Sequence, residues 1–333
     1  MPDSPNYFHP ETLRRIARLD FRARHVVEGF LSGMHKSRHF GNSVEFRQHR
    51  EYVAGDDPKN VDWKVWARQD RLYVKQFEED TNLNLTLLVD ASSSMTYGSE
   101  AMTKYDYGAT VAASLAYLAL RQQDAVGCLT FDRRKRTQLP FRTRQSHLAA
   151  VVQTLMDSDP SRHADDETDV EQTVVEGNRE KESASGLLRQ WQPNLEEVLL
   201  AVAESTPRHG MIVLLSDLLV DRQGLFRGLR LLQSHGHDVM VFHLLDDEEL
   251  DFPLSGATRF EGLEMPLHLR CDPRMLRDAY LDAMEAYLGE VRRGCTKIRA
   301  DYTLFRTSRP LDAALAEYLS FRADRVRAHH VKG

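Results

Sequence analysis

The stretch Leu87-Leu-Val-Asp-Ala-Ser-Ser-Ser-Met95 decides the fold. An apolar run that halts at a carboxylate marks the end of a buried strand. Asp90 is then followed by two hydroxyls at alternate positions, Ser92 and Ser94. A carboxylate and two hydroxyls on one tight loop form a hard, oxygen-only donor set. Such donors suit Mg²⁺ or Mn²⁺ rather than zinc. The carboxyl end of a strand is also where open α/β sheets bind their ligands. A serine-rich turn that only caps the following helix is the competing reading.

Outward from that stretch, strands and helices alternate. Strands are predicted over 85–90, 125–131, 211–215, 238–245 and 302–306, with a short edge strand over 136–141 and another strand region over 258–269. Helical periodicity covers 104–121, 145–156, 195–204, 224–234, 272–292 and 311–322. Asp272 and Pro273 stand as N-cap and first helical residue. This rhythm predicts an α/β fold with a doubly wound, mostly parallel sheet flanked by helices. Upstream, 9–36 reads as a helix with a solvated basic face. Residues 39–80 read as a small β-rich element, with alternation at Leu72, Val74 and Gln76. Four segments follow: an N-terminal helix and β-rich element (1–82), the α/β core (83–250), a strand–helix extension packed on the core (251–325) and a tail (326–333). The core is interrupted by an acidic, flexible insertion over 157–187, poor in large apolar residues. An acidic docking segment is the sharper reading of that insertion.

Composition narrows the function classes. Of 333 residues, 41% are hydrophobic and 28% charged, which predicts a globular protein with a sizeable core. A net charge of −6 gives no general pull toward nucleic acid. Cys128, Cys271 and Cys295 are far apart and odd in number, so a cytoplasmic protein without a disulfide framework is expected. The opening Met-Pro-Asp-Ser-Pro-Asn has no signal-peptide pattern. No run reaches the roughly 18 apolar residues of a membrane span, so no direct membrane insertion is expected.

Three strands end in polar residues at one edge of the expected sheet: Asp90 with Ser92 and Ser94, then Ser216 with Asp217, then Asp246, Asp247, Glu248 and Glu249. In a parallel sheet these ends point one way, so Asp90 and Asp217 can converge. A divalent ion takes about six oxygens. Two carboxylates, two hydroxyls and water nearly supply them, and an open position could take a carboxylate from another protein.

These residues resemble the metal-ion-dependent adhesion site of von Willebrand factor A-like domains. The flanks are more specific. Glu45-Phe-Arg-x-x-Arg-x-Tyr-x-x-Gly-Asp-Asp, Val61-Asp-Trp-x-x-x-Ala-Arg, Leu72-x-Val-Lys-x-Phe-Glu-Glu and Asp301-Tyr-Thr-Leu-Phe-Arg-Thr resemble the bacterial family called domain of unknown function 58. The resemblance runs from about residue 10 to 323, apart from the acidic insertion. It implies a von Willebrand factor A-like fold, a metal held by Asp90, Ser92, Ser94 and Asp217, and a partnership with a MoxR-type AAA+ ATPase. The second loop departs from the adhesion pattern. A threonine is usual just before the helix that starts at Leu195, where this chain has Gln192-Pro-Asn. Asn194 could donate an amide oxygen instead, or the site could be degenerate.

Two functions remain open. One is a non-enzymatic, metal-assisted protein-binding module acting with the ATPase on a larger assembly. The other is a metal-dependent phosphate-ester hydrolase. Against the second, no general base stands beside the first loop and no G-x-S-x-G elbow or P-loop occurs. The cluster Arg50, Asp56, Asp57, Asp62, Trp63 and Arg68 looks catalytic but reads better as a buried network of ion pairs. Trp63 and Trp66 read as packing, Cys128 as core, and His147, His163 and His243 lack metal-ligand spacing.

Overall fold

The computed structural model describes residues 46–52, 65–66, 72–77, 83–99, 102–133, 135–162, 194–264 and 268–311. The helix expected over 9–36, the acidic insertion from residue 163 on, the final helix and tail, and Asp56, Asp57, Asp62, Trp63 and Arg68 lie outside them. The described residues fall in two compact units that divide at Leu83. In the first, β1 (Phe46–Glu51) pairs antiparallel with β2 (Tyr73–Phe77), the strand predicted from its alternation. Trp66 is 43% exposed.

The second unit is built on six strands: β3 (Asn84–Asp90), β4 (Ala125–Phe131), β5 (Arg136–Arg142), β6 (Met211–Ser216), β7 (Asp238–Leu245) and β10 (Asp301–Arg306). Their order is β10-β7-β6-β3-β4-β5. All neighbours are parallel except β5, which runs antiparallel to β4. The central strands are buried on both faces, as unbroken Leu/Val/Ile runs require. On β5 burial alternates and Arg, Gln and Pro occupy the strand, which suits the edge.

Among the described residues, six α-helices accompany the sheet: α1 (Lys104–Arg121), α2 (His147–Asp157), α3 (Leu195–Ser205), α4 (Arg222–Ser234), α5 (Asp247–Asp251) and α6 (Arg277–Ile298). One sheet face, with Leu88, Leu129, Ile212, Leu214, Val239 and Val241, forms a single core with α3, α4 and α6. The residues of opposite parity, among them Leu87, Val213 and Phe242, are buried toward the other face. Helix α1 packs against β3, β4, β6 and β7 and is rich in alanine. Gly108 lets it come close: a Cβ there would stand 2.8 Å from Leu244 Cδ1. The sheet is therefore a doubly wound layer with helices flanking it, as expected.

Two elements differ from the expectation. The strand region at 258–269 is a separate antiparallel pair, β8 (Thr258–Glu261) and β9 (His268–Cys271). Gly262 and Pro266 interrupt the run, which explains the break. Asp272 caps only a 3-10 turn, Pro273–Met275; helix α6 starts after it at Arg277 and continues six residues past Arg292, because Cys295 and Ile298 extend its buried stripe. Among the described residues, no helix is long and apolar enough to cross a membrane.

The topology places the site. From β3 the chain crosses through α1 to β4 and β5 on one side. It then returns beyond β3 to β6, and moves outward to β7 and β10. Strand order thus reverses between β3 and β6. At such a switch point the following loops part and leave a crevice at the carboxyl ends.

Candidate functional site

Asp90 ends β3 at that crevice and is 0% exposed. Its Oδ1 accepts the Ser92 amide at 3.0 Å, and its Oδ2 accepts the Ser216 hydroxyl, from the end of β6, at 2.5 Å. The loop after Asp90 tightens into a 3-10 turn, Ser93–Thr96. This brings the Ser92 and Ser94 hydroxyls to 3.1 Å from each other. Both serines are buried. The Ser94 amide donates to Glu264 Oε1 at 2.7 Å, across 170 residues of chain.

Asp217 follows β6 and is also buried. Its Oδ1 accepts the Leu219 amide at 3.2 Å. Its Oδ2 accepts Lys104 Nζ at 2.8 Å, and the same ammonium reaches Glu249 Oε1 at 2.8 Å. Leu218, between Asp217 and Leu219, has φ +55°, a left-handed conformation uncommon for a non-glycine residue. Tyr287 supports that turn through its hydroxyl, which donates to the Leu218 carbonyl at 2.6 Å.

The acidic run after β7 is a helix start. Asp246 is the N-cap of α5, in a capping box with Glu249. Its carboxylate accepts the Ser99 amide at 3.0 Å, the Ser99 hydroxyl at 2.5 Å and the Thr307 hydroxyl at 2.9 Å. Tyr97 donates to Glu248 Oε2 at 2.7 Å. Asp247 pairs with Arg306. These carboxylates bind the first loop to β7 and β10.

Burial, and then the nearby Asp217 charge, raise Asp90 to about 7. For Asp217, burial pushes the same way, but the Lys104 ammonium outweighs it and holds the carboxyl below its usual range. Burial alone would lower Lys104. Asp217 and Glu249 more than offset that and keep it charged. Glu249 is raised because burial outweighs its lysine. Lys104 therefore compensates Asp217 and leaves Asp90 as the carboxylate short of a positive partner.

His243, on β7, is 0% exposed. Its Nε2 lies 2.8 Å from the Asp217 carbonyl oxygen and its Nδ1 2.9 Å from the Tyr302 hydroxyl. A carbonyl only accepts, so Nε2 carries the proton and Nδ1 accepts from Tyr302. Burial lowers the ring to about 4 from the ordinary 6.5. A depressed histidine stabilises the fold above pH ~6.5 and loses that contribution as pH falls through about 4. Asp90 acts in the opposite sense over the same window. The His243 share is therefore read as a difference: below pH ~6.5, the native protein should lose roughly 2 kcal/mol more than His243→Gln. Denaturant midpoints across that range measure it, and parallel curves would refute it.

Of the five residues expected at the site, the structure brings four to one crevice: Asp90, Ser92, Ser94 and Asp217. Asn194 has another task. It is exposed and caps α3, its Oδ1 accepting the Glu197 amide at 3.4 Å. Sequence reasoning missed Lys104 altogether and did not give Ser216 a role as a ligand. One signal was available for the lysine. A cation on the first turn of an apolar helix opposes the helix dipole, so it needs carboxylates from elsewhere.

The first loop suits a small hard cation, since Asp90, Ser92 and Ser94 are all oxygen donors and Asp90 is short of positive charge. The loop after β6 does not, because Asp217 is already paired with Lys104. Among the described residues, no group of three or more His, Cys, Asp or Glu side chains could hold a metal ion. His243 is not a free base, since both ring nitrogens are engaged.

Comparison with known proteins places the chain. The sequence profile of "Protein of unknown function DUF58" matches residues 48–287. The chain belongs to the DUF58 family. This DUF58 protein is 24% identical over 323 residues to "Uncharacterized protein Rv1480" of Mycobacterium tuberculosis (strain ATCC 25618 / H37Rv). It is equally similar to "Uncharacterized protein Mb1516" of Mycobacterium bovis (strain ATCC BAA-935 / AF2122/97), and each match covers 96% of this chain and 93% of the relative. Among solved structures it is similar to BatB from Bacteroides thetaiotaomicron, at 14% identity and a TM-score of 0.45 over 73% of this chain and 100% of that one. It is also similar to an aerotolerance-related membrane protein from Bacteroides fragilis NCTC 9343, at 15% identity and a TM-score of 0.42 over 71% and 96%.

Proposed function

We propose that this DUF58 protein is a non-enzymatic protein-interaction module of von Willebrand factor A-like type. Its adhesion-type site lies at the β3/β6 switch point. The observation that carries this reading is the convergence of Asp90, Ser92 and Ser94 from one strand end with Ser216 and Asp217 from the next. Mg²⁺ or Mn²⁺ would be held by Asp90, Ser92 and Ser94 and would give a partner's carboxylate a positive centre to bind. The Ser94 amide donates to a carboxylate of this chain, Glu264, so this loop already receives one acidic side chain from a distant segment. A MoxR-type AAA+ ATPase is the proposed partner, in assembly or remodelling of a larger complex, and this step rests on the family resemblance. The hydrolase reading is weaker. Ser216 is 0% exposed and bonded to Asp90, and His243 has no free nitrogen for a base.

The test is a pull-down of the full chain against lysate of its source, with Mg²⁺ or with EDTA, beside Asp90→Ala. An ATPase should be retained by the native protein in Mg²⁺ and lost in both other arms. Retention indifferent to metal and to Asp90 would refute the adhesion site. Metal-dependent turnover of a phosphate ester, absent from Asp90→Ala, would replace the reading with the hydrolase.

A further inference from the structure

Lys104 is out of place by local chemistry. It is the first residue of α1, where the helix dipole disfavours a cation. Its side chain is 0% exposed, and an unpaired ammonium is not tolerated in a protein interior. It is held there by two carboxylates from different loops, Asp217 and Glu249, each at 2.8 Å. We propose that Lys104 is the resident cation of this site, an ammonium that takes the place a divalent ion would have against the Asp217 carboxylate and so sets how tightly the site binds metal.

The argument is one of charge and space. Two cations brought within a few ångströms of one carboxylate oxygen in a buried site repel strongly. A divalent ion in the crevice therefore meets the Asp90 charge alone, with Asp217 already satisfied. Its donors are reduced to Asp90, Ser92 and Ser94. The same ammonium ties the loop after β6 to α5 through Glu249, so the crevice keeps its shape without an ion. This inference rests on the adhesion-type reading above and changes which residues carry it: Asp217 is a partner of Lys104, not a metal ligand.

Calorimetric titration of Mg²⁺ alone into the full chain tests it, with native protein, Lys104→Met and Lys104→Met/Asp217→Asn. The methionine keeps the length of the stem and removes the charge. Lys104→Met should bind Mg²⁺ at least about tenfold more tightly than native, because Asp217 regains an uncompensated charge. The double variant Lys104→Met/Asp217→Asn, which removes the pair without changing the net charge of the site, should match native within about twofold, since it removes no ligand. If Lys104→Met folds only in Mg²⁺, read by circular dichroism, the inference is equally supported. If it folds in neither condition, the double variant decides alone. Lys104→Met binding no tighter than native, or loss of binding in Lys104→Met/Asp217→Asn, overturns the inference while leaving the adhesion reading intact. A native protein that binds no Mg²⁺ beside a Lys104→Met that does has the reverse meaning: the ion leaves the adhesion reading and the lysine keeps its role.

Discussion

Asp90→Asn will make this protein more stable at about pH 8, by roughly 2–4 kcal/mol. Asp90 is fully buried, and its neutral form is favoured in the fold up to about pH 7. A carboxyl raised above its unfolded value stabilises fully below that unfolded value, near 3.9, and loses the contribution as pH rises through its folded value. At about pH 8 the native protein holds a buried charge facing Asp217, and the amide removes it. Asparagine also keeps the geometry: its oxygen can accept the Ser92 amide and its nitrogen can donate to the Ser216 hydroxyl. The gain should shrink toward zero near pH 4, where Asp90 in the native protein is also neutral. Denaturant midpoints at both pH values measure it. An equal effect at both, or a loss at about pH 8, would show that the Asp90 charge is not a cost to the fold. A side chain kept charged against stability is expected where a site must attract a cation.

Asp217→Ala should act in the other direction and cost about 3–5 kcal/mol, the usual penalty for removing one partner of a buried ion pair. The Lys104 ammonium would keep Glu249 but face an empty space where Asp217 Oδ2 stood. The Leu219 amide would also lose its acceptor in the turn strained at Leu218. Adding Lys104→Met to Asp217→Ala should recover part of the loss, because the stranded charge goes with it. Equilibrium unfolding of the two single variants and the double variant gives the coupling. An Asp217→Ala variant within about 1 kcal/mol of native would mean that Glu249 alone suffices for Lys104.

The sheet strands were legible because each carries its signal locally. Residues 85–90, 125–131 and 238–245 read as buried strands from their apolar runs, and Asp90 stood out because it ends such a run. The convergence of Asp90 with Asp217 was legible too, since parallel strands present their carboxyl ends together. The acidic run 246–249 was read only as a polar strand end, because composition does not separate a capping box from other acidic turns. Asp246 turned out to cap α5 and to receive Ser99 and Thr307. Asn194 was read as a possible ligand and caps α3 instead, since an N-cap amide and a ligand amide share one sequence position before a helix.

What the amino-acid order by itself determined is the alternation of elements and the first loop of the site. Period and turn chemistry act over a few residues, and they act the same way in any surroundings. What only the tertiary structure decided is the charge of the site. Lys104 meets Asp217 across 113 residues and Glu249 across 145. Coulomb forces between groups so far apart in sequence depend on where the packed helix α1 sets its first turn. That position follows from a close-packed face of alanines and Gly108 against the sheet. Until the sheet and α1 are assembled, the first-turn position of Lys104 says only that it needs carboxylates, and nothing local says which.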